Sequence, residues 1–463
     1  MNERINIVIL AAGLGTRMKS RKAKVLHEAG GLTLVEHVVR SALALTSPDR
    51  VIVVVGHQAD QVRAVLAHTG VRFVEQTEQK GTAHALEVCR TLAADTEGKL
   101  IVLYGDCPLL SAVTLRRLLD HHEHAKAAAT VITMMLDNPT GYGRILVDSD
   151  GYVSEIVEEK VASPEQKKVR QINSGIYCFN AAPLWKHLSE IRPNPVSQEY
   201  YLTDIVDVLG RAGHKVSPLL HENPEELLGI NTRVELASVD RIFRDRKTHE
   251  LMLAGVTILR PETVTVDMAV RAGMDTTVEP FAQLLGETTI GENCRIGAGA
   301  IIRDSQIGDS VEIQPYTIVN TSRIDNGASV GPFARLRMEN HVAANAHIGN
   351  FVELKKTRFG EGAKAGHLAY LGDSEIGAEV NIGAGTITCN YDGARKHKTV
   401  IRDRVFVGSN STLVAPVELG TKSYIGAGSV ITSAVPEDAL AIGRGRQVNK
   451  EEWAKRRREK PAG

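Results

Sequence analysis

The sequence predicts two machines in one chain: an α/β domain built on a parallel sheet and, beyond a connecting helix, a parallel β-helix. Three observations predict it. From Ile5 to about residue 120, short aliphatic runs alternate with helical segments. From Ile290 to Pro436, apolar residues recur every six positions for most of the length, a period that does not match a helix. Between these regions, residues 233–253 carry helix signals at both ends.

At 463 residues the chain exceeds what one hydrophobic core usually supports. The expected division is 1–232, a linker helix at 233–253, and 254–463. Lys plus Arg equals Asp plus Glu, 55 each. This gives no global pull toward nucleic acid or an anionic membrane, and neither is expected as a partner. Five cysteines, Cys89, Cys107, Cys178, Cys294 and Cys389, are scattered, odd in number and without a CxxC pair. That suits reduced cytosol, so a cytoplasmic location is expected. The charged start, Met1 to Ile5, leads straight into a strand, and no apolar run is long enough to cross a bilayer. Neither a signal peptide nor an anchor is expected.

In the first region, Ile5 to Ala11, Val51 to Val55, Val71 to Glu75 and Leu100 to Tyr104 read as buried strands. One intervening helix starts at Thr33, with Glu36 completing a capping box. Such alternation builds a Rossmann-like parallel sheet covered by helices, and ligands bind beyond the carboxyl ends of its strands.

The first strand ends in Leu10-Ala11-Ala12-Gly13-Leu14-Gly15-Thr16-Arg17-Met18, followed by Lys24. Gly13 and Gly15 let the backbone approach a phosphate, although a tight turn needs glycine anyway. Arg17 and Lys24 add fixed positive charge where a phosphoryl group becomes more negative. The fourth strand delivers Tyr104-Gly105-Asp106, whose carboxylate is placed to bind Mg2+ shared with a nucleotide.

The first of these segments resembles the signature of sugar-phosphate nucleotidyltransferases, with one departure: Ala23 stands where proline usually precedes the lysine. The resemblance implies nucleotide contacts at Leu10, Ala11, Ala12, Gly13, Lys24, Tyr104, Gly105 and Asp106. It implies uracil contacts at Gln76, Gly81 and Thr82, and sugar contacts at Gly143, Glu158 and Asn173 around a hairpin turned at Asp148 to Gly151. Asn231 corresponds to the second protein ligand of the metal, although an asparagine before a helix also reads as a cap.

For the linker helix, Thr232 with Glu235 suggests the cap, Val239, Ile242 and Phe243 the packed stripe, and Gly255 the end. His121, His122 and His124 follow a helix among charged residues; they are expected in solvent, with no role.

The ladder runs Ile290, Ile296, Ile302, Ile307, Ile313, Val319, Ile324, Val330, Leu336, Val342, Ile348, Leu354, Phe359, Ala365, Leu371, Ile376 and Ile382. It resumes at Ile401 with Val407, Leu413, Leu419, Ile425 and Ile431. A glycine often follows the rung and is expected to let the chain turn a corner. The pattern resembles the hexapeptide-repeat transferases, which implies a left-handed prism, a homotrimer and acyl-CoA sites between subunits. The ladder alone also fits a trimerisation scaffold.

Three departures from a bare prism carry a chemical signal: Gly331 to Arg337 leading into Asn350 to Lys356, Lys364 to Asp373, and thirteen residues between Thr388 and Ile401. The last, beginning at Cys389-Asn390-Tyr391-Asp392-Gly393, is expected to project as a loop. Taken together, over nearly the whole chain and weakening after about Arg444, these segments resemble a bacterial family. Its members are bifunctional N-acetylglucosamine-1-phosphate uridylyltransferases and glucosamine-1-phosphate N-acetyltransferases.

That resemblance implies acetylation of glucosamine-1-phosphate by acetyl-CoA, then uridylyl transfer from UTP to N-acetylglucosamine-1-phosphate, supplying peptidoglycan and lipopolysaccharide precursors. His367 would be the general base, a task that imidazole chemistry suits, and Glu353 would orient it. Arg337 and Lys355 would hold the sugar phosphate, with Tyr370, Asn381, Asn390 and Lys396 or Lys398 nearby. Ala384, Asn390, Tyr391, Ser409, Ala427 and Arg444 would meet acetyl-CoA, Ser409 offering its backbone amide to the oxyanion. In the other half Asp106 and Asn231 would hold Mg2+, and Arg17 and Lys24 would stabilise the transferring group. Two alternatives stay open: a single-activity nucleotidyltransferase whose β-helix only trimerises, and a silent assembly subunit. The basic run of Lys455, Arg456, Arg457, Arg458 and Lys460 after Trp453 is expected to be a solvated tail.

Overall fold

The computed structural model describes residues 5–93, 98–195 and 197–459; the charged start at Met1–Arg4 and Lys460 of the basic run lie outside the described residues. The chain divides into two compact units, Met1–Ile242 and Phe243–Gly463.

In the first unit the strands are β1 (Ile5–Leu10), the short pair β2 (Glu28–Ala29) and β3 (Leu32–Thr33), β4 (Val51–Val55), β5 (Arg72–Glu75) and β6 (Lys99–Tyr104). They continue with β7 (Ala129–Met135), β8 (Arg144–Val147), β9 (Val153–Val157), β10 (Gln171–Asn180) and β11 (Val216–Leu220). The main sheet has the order β11-β7-β10-β6-β1-β4-β5. Strands β5, β4, β1 and β6 are parallel; β4, β1 and β6 carry the near-continuous Val, Ile and Leu runs of strands buried on both faces, whereas β5 (Arg-Phe-Val-Glu), expected to be buried, is the edge strand and only partly covered. The sheet is not parallel throughout, however: β10 runs antiparallel between β6 and β7. Between β7 and β10 the chain makes the β8–β9 hairpin rather than a crossover helix, so β10 returns in the opposite direction.

The helices of this unit are α1 (Leu34–Leu43), α2 (Ala59–Leu66), α3 (Thr82–Glu87), α4 (Ala112–Ala125), α5 (Ala181–His187) and α6 (Ile205–Arg211). Thr33 and Glu36 form the expected capping box on α1. The three histidines are a correction, because all lie in the last turns of α4. His122 is 2% exposed, with Nδ1 2.9 Å from the Thr130 hydroxyl and Nε2 3.0 Å from the Asn180 side chain. His121 meets Ser217, and His124 alone is exposed. The spacing Leu115, Leu118, Leu119, His122 follows one helix face, which carries His122 inward while His124 turns away.

Helix α7 (Arg233–Leu253) is capped reciprocally: the Thr232 hydroxyl accepts the Glu235 amide at 3.2 Å and the Glu235 carboxylate accepts the Thr232 amide at 2.8 Å. Gly255, at φ +94°, follows its end.

The second unit is a left-handed parallel β-helix. Its strands fall into three parallel sheets of eleven, ten and nine, and along most of the prism each strand pairs with the third one on. Every ladder rung from Ile290 to Ile431 is at most 5% exposed, and the rungs stack into one continuous core. The prism also begins earlier than the ladder suggests. Val266, Ala272, Val278 and Leu284 keep the same step of six back from Ile290, and small Ala272 hides the pattern. The gap after Ile382 contains a rung as well: Thr388, 1% exposed, whose hydroxyl accepts the Gly372 amide at 2.8 Å.

The glycines after the rungs serve a different purpose from the expected one. A Cβ on Gly349 would lie 2.0 Å from the Gly366 carbonyl oxygen, and one on Gly383 2.5 Å from the Ser409 amide nitrogen. Close stacking of successive coils therefore excludes a side chain there. Apart from Gly331, at φ +112° directly after Val330, the positive backbone angles at the corners fall farther on, at residues such as Phe333, Phe351 and Leu368.

Candidate functional site

Beyond the carboxyl ends of β1 and β6 lies a cavity of about 460 Å³. Leu10, Ala11, Ala12, Gly13, Arg17, Lys24, Gln76, Gly81, Thr82, Tyr104, Asp106 and Asn231 all line it. Gly105 packs beneath, its amide donating to the Leu10 carbonyl at 2.9 Å.

The loop after β1 is shaped by Gly15. Its φ is +62°, and an added Cβ would fall 2.5 Å from Cβ of Lys24, so the glycine brings the lysine against the loop. Ala23 has φ −56°, a value that proline would also impose, and its amide donates to the Gln58 side chain at 2.7 Å. A proline has no such donor; here Gln58 holds the backbone that leads into Lys24.

The Lys24 ammonium bonds the Asp106 carboxylate and, at 2.8 Å, the Asn231 amide oxygen. The Arg17 guanidinium donates to the same Asn231 oxygen at 2.7 Å. Asn231 is not the helix cap, because Thr232 fills that position and leaves the Asn231 side chain turned to the two cations. Cation, carboxylate and amide oxygen thus converge at the cavity beside the glycine loop, an arrangement chemically able to bind phosphate oxygens.

Gln76, 4% exposed, donates to the Gly81 carbonyl at 3.1 Å and meets His84 at 3.0 Å. Thr82 accepts the Leu202 amide at 2.9 Å, and the Ala83 amide donates to the Tyr200 carbonyl at 2.9 Å. The segment around Tyr200, with Glu199 lining the cavity, was not apparent from the sequence. No local motif marks it; only its pairing with the Gly81 loop does.

Gly143, just before β8, Glu158, just after β9, and Asn173, on β10, form a neighbouring group. The Asn173 amide donates to the Gly143 carbonyl at 2.9 Å, and a Cβ on Gly143 would sit 3.5 Å from Oε1 of Glu158. They adjoin the cavity through Tyr104, whose ring would meet a Cβ on Gly175 at 2.7 Å. Burial, and then the charge of Asp204, push the Glu158 carboxyl above its ordinary value.

In the β-helix, Arg337 Nη1 lies 3.2 Å from the Glu353 carboxylate. The Glu353 position pairs with Tyr370 on the next coil. The described residues show no bond between Glu353 and His367; His367 is exposed and pairs by register with Asn350. Register also aligns His367 with Ala384, Ser409 and Ala427, two positions beyond the stacked rungs Ala365, Ile382, Val407 and Ile425. One edge therefore carries an exposed imidazole in line with the small residues Ala384, Ser409 and Ala427.

Lys355, 7% exposed, lies 3.4 Å from Asp373, which also accepts from the Asn390 side chain. Lys396 faces Lys355, and hydrogen bonding and charge from that ammonium lower its pKa. Lys398 pairs with Glu375 instead. Two cations facing one another suit a bound anion.

The segment after Cys389 does project, bridged between Tyr391 and Lys396, with the Tyr391 hydroxyl donating to the Gly393 carbonyl at 2.6 Å. The Asp392 carboxyl is held well below its usual range, chiefly by the Arg395 amide and also by His397. Asn381 is half-buried between Lys364 and Phe406 in register, and Arg444 is exposed just past the final coil. In the tail, Trp453–Arg458 form an exposed helical turn, α8.

Comparison with known proteins covers both halves. The MobA-like NTP transferase domain matches residues 7–149, and the bacterial transferase hexapeptide (six repeats) matches residues 273–304 and 398–433. The chain is 59% identical over 458 residues to the bifunctional protein GlmU of Solibacter usitatus (strain Ellin6076), covering 99% of this chain and 98% of that one. It is 50% identical over 460 residues to the protein of the same name from Koribacter versatilis (strain Ellin345), covering 99% and 98%. To that of Brevibacillus brevis (strain 47 / JCM 6285 / NBRC 100599) it is 46% identical over 451 residues, covering 97% of each.

Proposed function

The chain belongs to the family of the bifunctional protein GlmU, and from that premise we propose how its residues carry the two reactions that make UDP-N-acetylglucosamine. Glucosamine-1-phosphate is N-acetylated by acetyl-CoA, and the product takes a uridylyl group from UTP with release of pyrophosphate. The observation that carries this reading is that one chain, matched to its relatives over 97–99% of its residues, carries both sets of side chains: Lys24 with Asp106 at the nucleotide cavity, and His367, Arg337 and Lys355 on the prism.

We assign acetyl transfer to residues 254–463. Lys355, Lys396 and Arg337 hold the phosphate of the amino sugar, with Tyr370 and Asn381 lining its approach. The His367 ring takes a proton from the sugar amine as that nitrogen attacks the thioester carbon; the carbon–sulfur bond breaks and the coenzyme leaves as thiol. The Ser409 amide donates to the oxyanion, Ala384 and Ala427 leave room for the extended coenzyme, and Asn390, Tyr391 and Arg444 flank it. Glu353 acts through Arg337.

Uridylyl transfer belongs to residues 1–232. The loop Leu10 to Gly13 cradles the nucleotide, Gln76, Gly81 and Thr82 hold the uracil, and Gly143, Glu158 and Asn173 hold the acetylated sugar. Its phosphate oxygen attacks the α-phosphorus of UTP in line. Arg17 and Lys24 stabilise the charge that builds there, so positioning and electrostatics suffice. Asp106 and Asn231 present a carboxylate and an amide oxygen, a donor pair that fits Mg2+ completed by water and phosphate oxygens. Bound there, the ion would neutralise phosphate charge.

A homotrimer is supported by the exposed aromatic column of Tyr316, Phe333 and Phe351, stacked at 5.2 and 5.5 Å, which a neighbouring copy would cover. A cytoplasmic location is proposed because both reactions consume acetyl-CoA and UTP; separately, none of the described helices is long and apolar enough to cross a membrane.

The test follows thiol and pyrophosphate separately, with glucosamine-1-phosphate, acetyl-CoA, UTP and magnesium, omitting each in turn. Thiol should appear without UTP, and pyrophosphate only when acetylated sugar is supplied or made. Pyrophosphate without any thiol would reduce the prism to a scaffold.

A further inference from the structure

Arg144 is among the largest fully buried side chains, at 1% exposure. A guanidinium there is costly unless its charge and donors are met. One nitrogen donates to the Tyr142 carbonyl and another to the Glu159 carboxylate at 2.6 Å; Nε has no partner among the described residues. Glu159 also accepts the Gly141 amide at 3.4 Å. Arg144 pairs in register with Val157 on one side and Ile172 on the other.

Gly143, Glu158 and Asn173 are therefore each one residue from a feature that Arg144 fixes. Gly143 precedes it in the chain, Glu158 precedes its carboxylate partner, and Asn173 follows its strand neighbour Ile172. The guanidinium ties the 141–143 turn to the end of β9, with β10 alongside.

We infer that Arg144 is a positioning residue: through Tyr142 and Glu159 it sets the spacing of Gly143, Glu158 and Asn173, and so the fit of the acetylated sugar phosphate. This rests on the proposed uridylyl site. It does not reach the nucleotide loop, whose geometry depends on Gly15, Gln58 and the Tyr200 segment.

Lysine cannot reproduce two divergent donors. Arg144→Lys should therefore raise KM for N-acetylglucosamine-1-phosphate about 10- to 100-fold, the scale of a displaced substrate. Its KM for UTP and its acetyl transfer should stay at wild-type values. Glu159→Gln, at the rim with its side chain 26% exposed, should shift the sugar KM in the same direction. The double variant should be no worse than Arg144→Lys alone. An unchanged sugar KM in either single variant, or a UTP KM rising in parallel, overturns the inference. Should Arg144→Lys fail to fold, Glu159→Gln decides by the same readout. Wild-type protein releasing no pyrophosphate from UTP with this sugar would instead overturn the functional reading, and this inference with it.

Discussion

The Lys24 ammonium donates to the Asp106 carboxylate, joining the segment after β1 to the end of β6, with side-chain exposures of only 12% and 21%. Each charge is poised by the other before a nucleotide arrives. Asp106→Asn keeps the shape and removes the charge. Uridylyl transfer should fall about 100- to 1,000-fold, with half-saturation by magnesium shifted upward, while acetyl transfer is unchanged. Pyrophosphate release titrated with magnesium checks this; equal loss of both activities would refute it.

His367 stands exposed at the prism edge, in line with Ala384, Ser409 and Ala427. His367→Ala should lower thiol release about 100- to 10,000-fold and leave uridylyl transfer from preformed N-acetylglucosamine-1-phosphate intact. Retained thiol release would remove His367 from its assigned role.

Gly349 and Gly366 make a matched pair for the stacking of coils. A methyl at Gly349 would meet the neighbouring backbone at 2.0 Å, whereas one at Gly366 has nothing within 4 Å. Gly349→Ala should destabilise the β-helix by at least about 1–3 kcal/mol. Gly366→Ala should stay within about 0.5 kcal/mol. Denaturant unfolding of the two variants distinguishes them.

Burial pushes the His37 imidazole down to about 4, against a bond from its Nε2 to the Ala29 carbonyl at 2.8 Å. The unfolded chain then binds the proton more readily than the folded one. Stability should be full above about pH 6.5 and fall as pH drops toward 4, by up to about 3 kcal/mol from this group. His37→Gln retains a donor and does not titrate, so its stability should fall less over that window in urea unfolding at successive pH values.

Periodicity was legible because it is local. The six-residue ladder, the aliphatic strands and the Thr33 and Thr232 caps each state a preference within a few residues, and burial follows from it. The expectation of roles for Lys24, Asp106 and His367 also drew only on their immediate neighbours. What the sequence by itself determined was the order of the elements and the types of side chain at the strand ends and corners.

Tertiary structure decided which of those side chains meet. Asn231 turns to Lys24 from 207 positions away, Gln58 replaces a proline's restraint on Ala23 by a bond across 35, and Tyr200 braces the Gly81 loop. The inward turn of His122, the antiparallel β10 and the glycines that admit the next coil are likewise invisible locally. The physical reason is common to all of them: hydrogen bonding and close packing act over ångströms in space, whatever the separation along the chain, and only the folded backbone sets that distance.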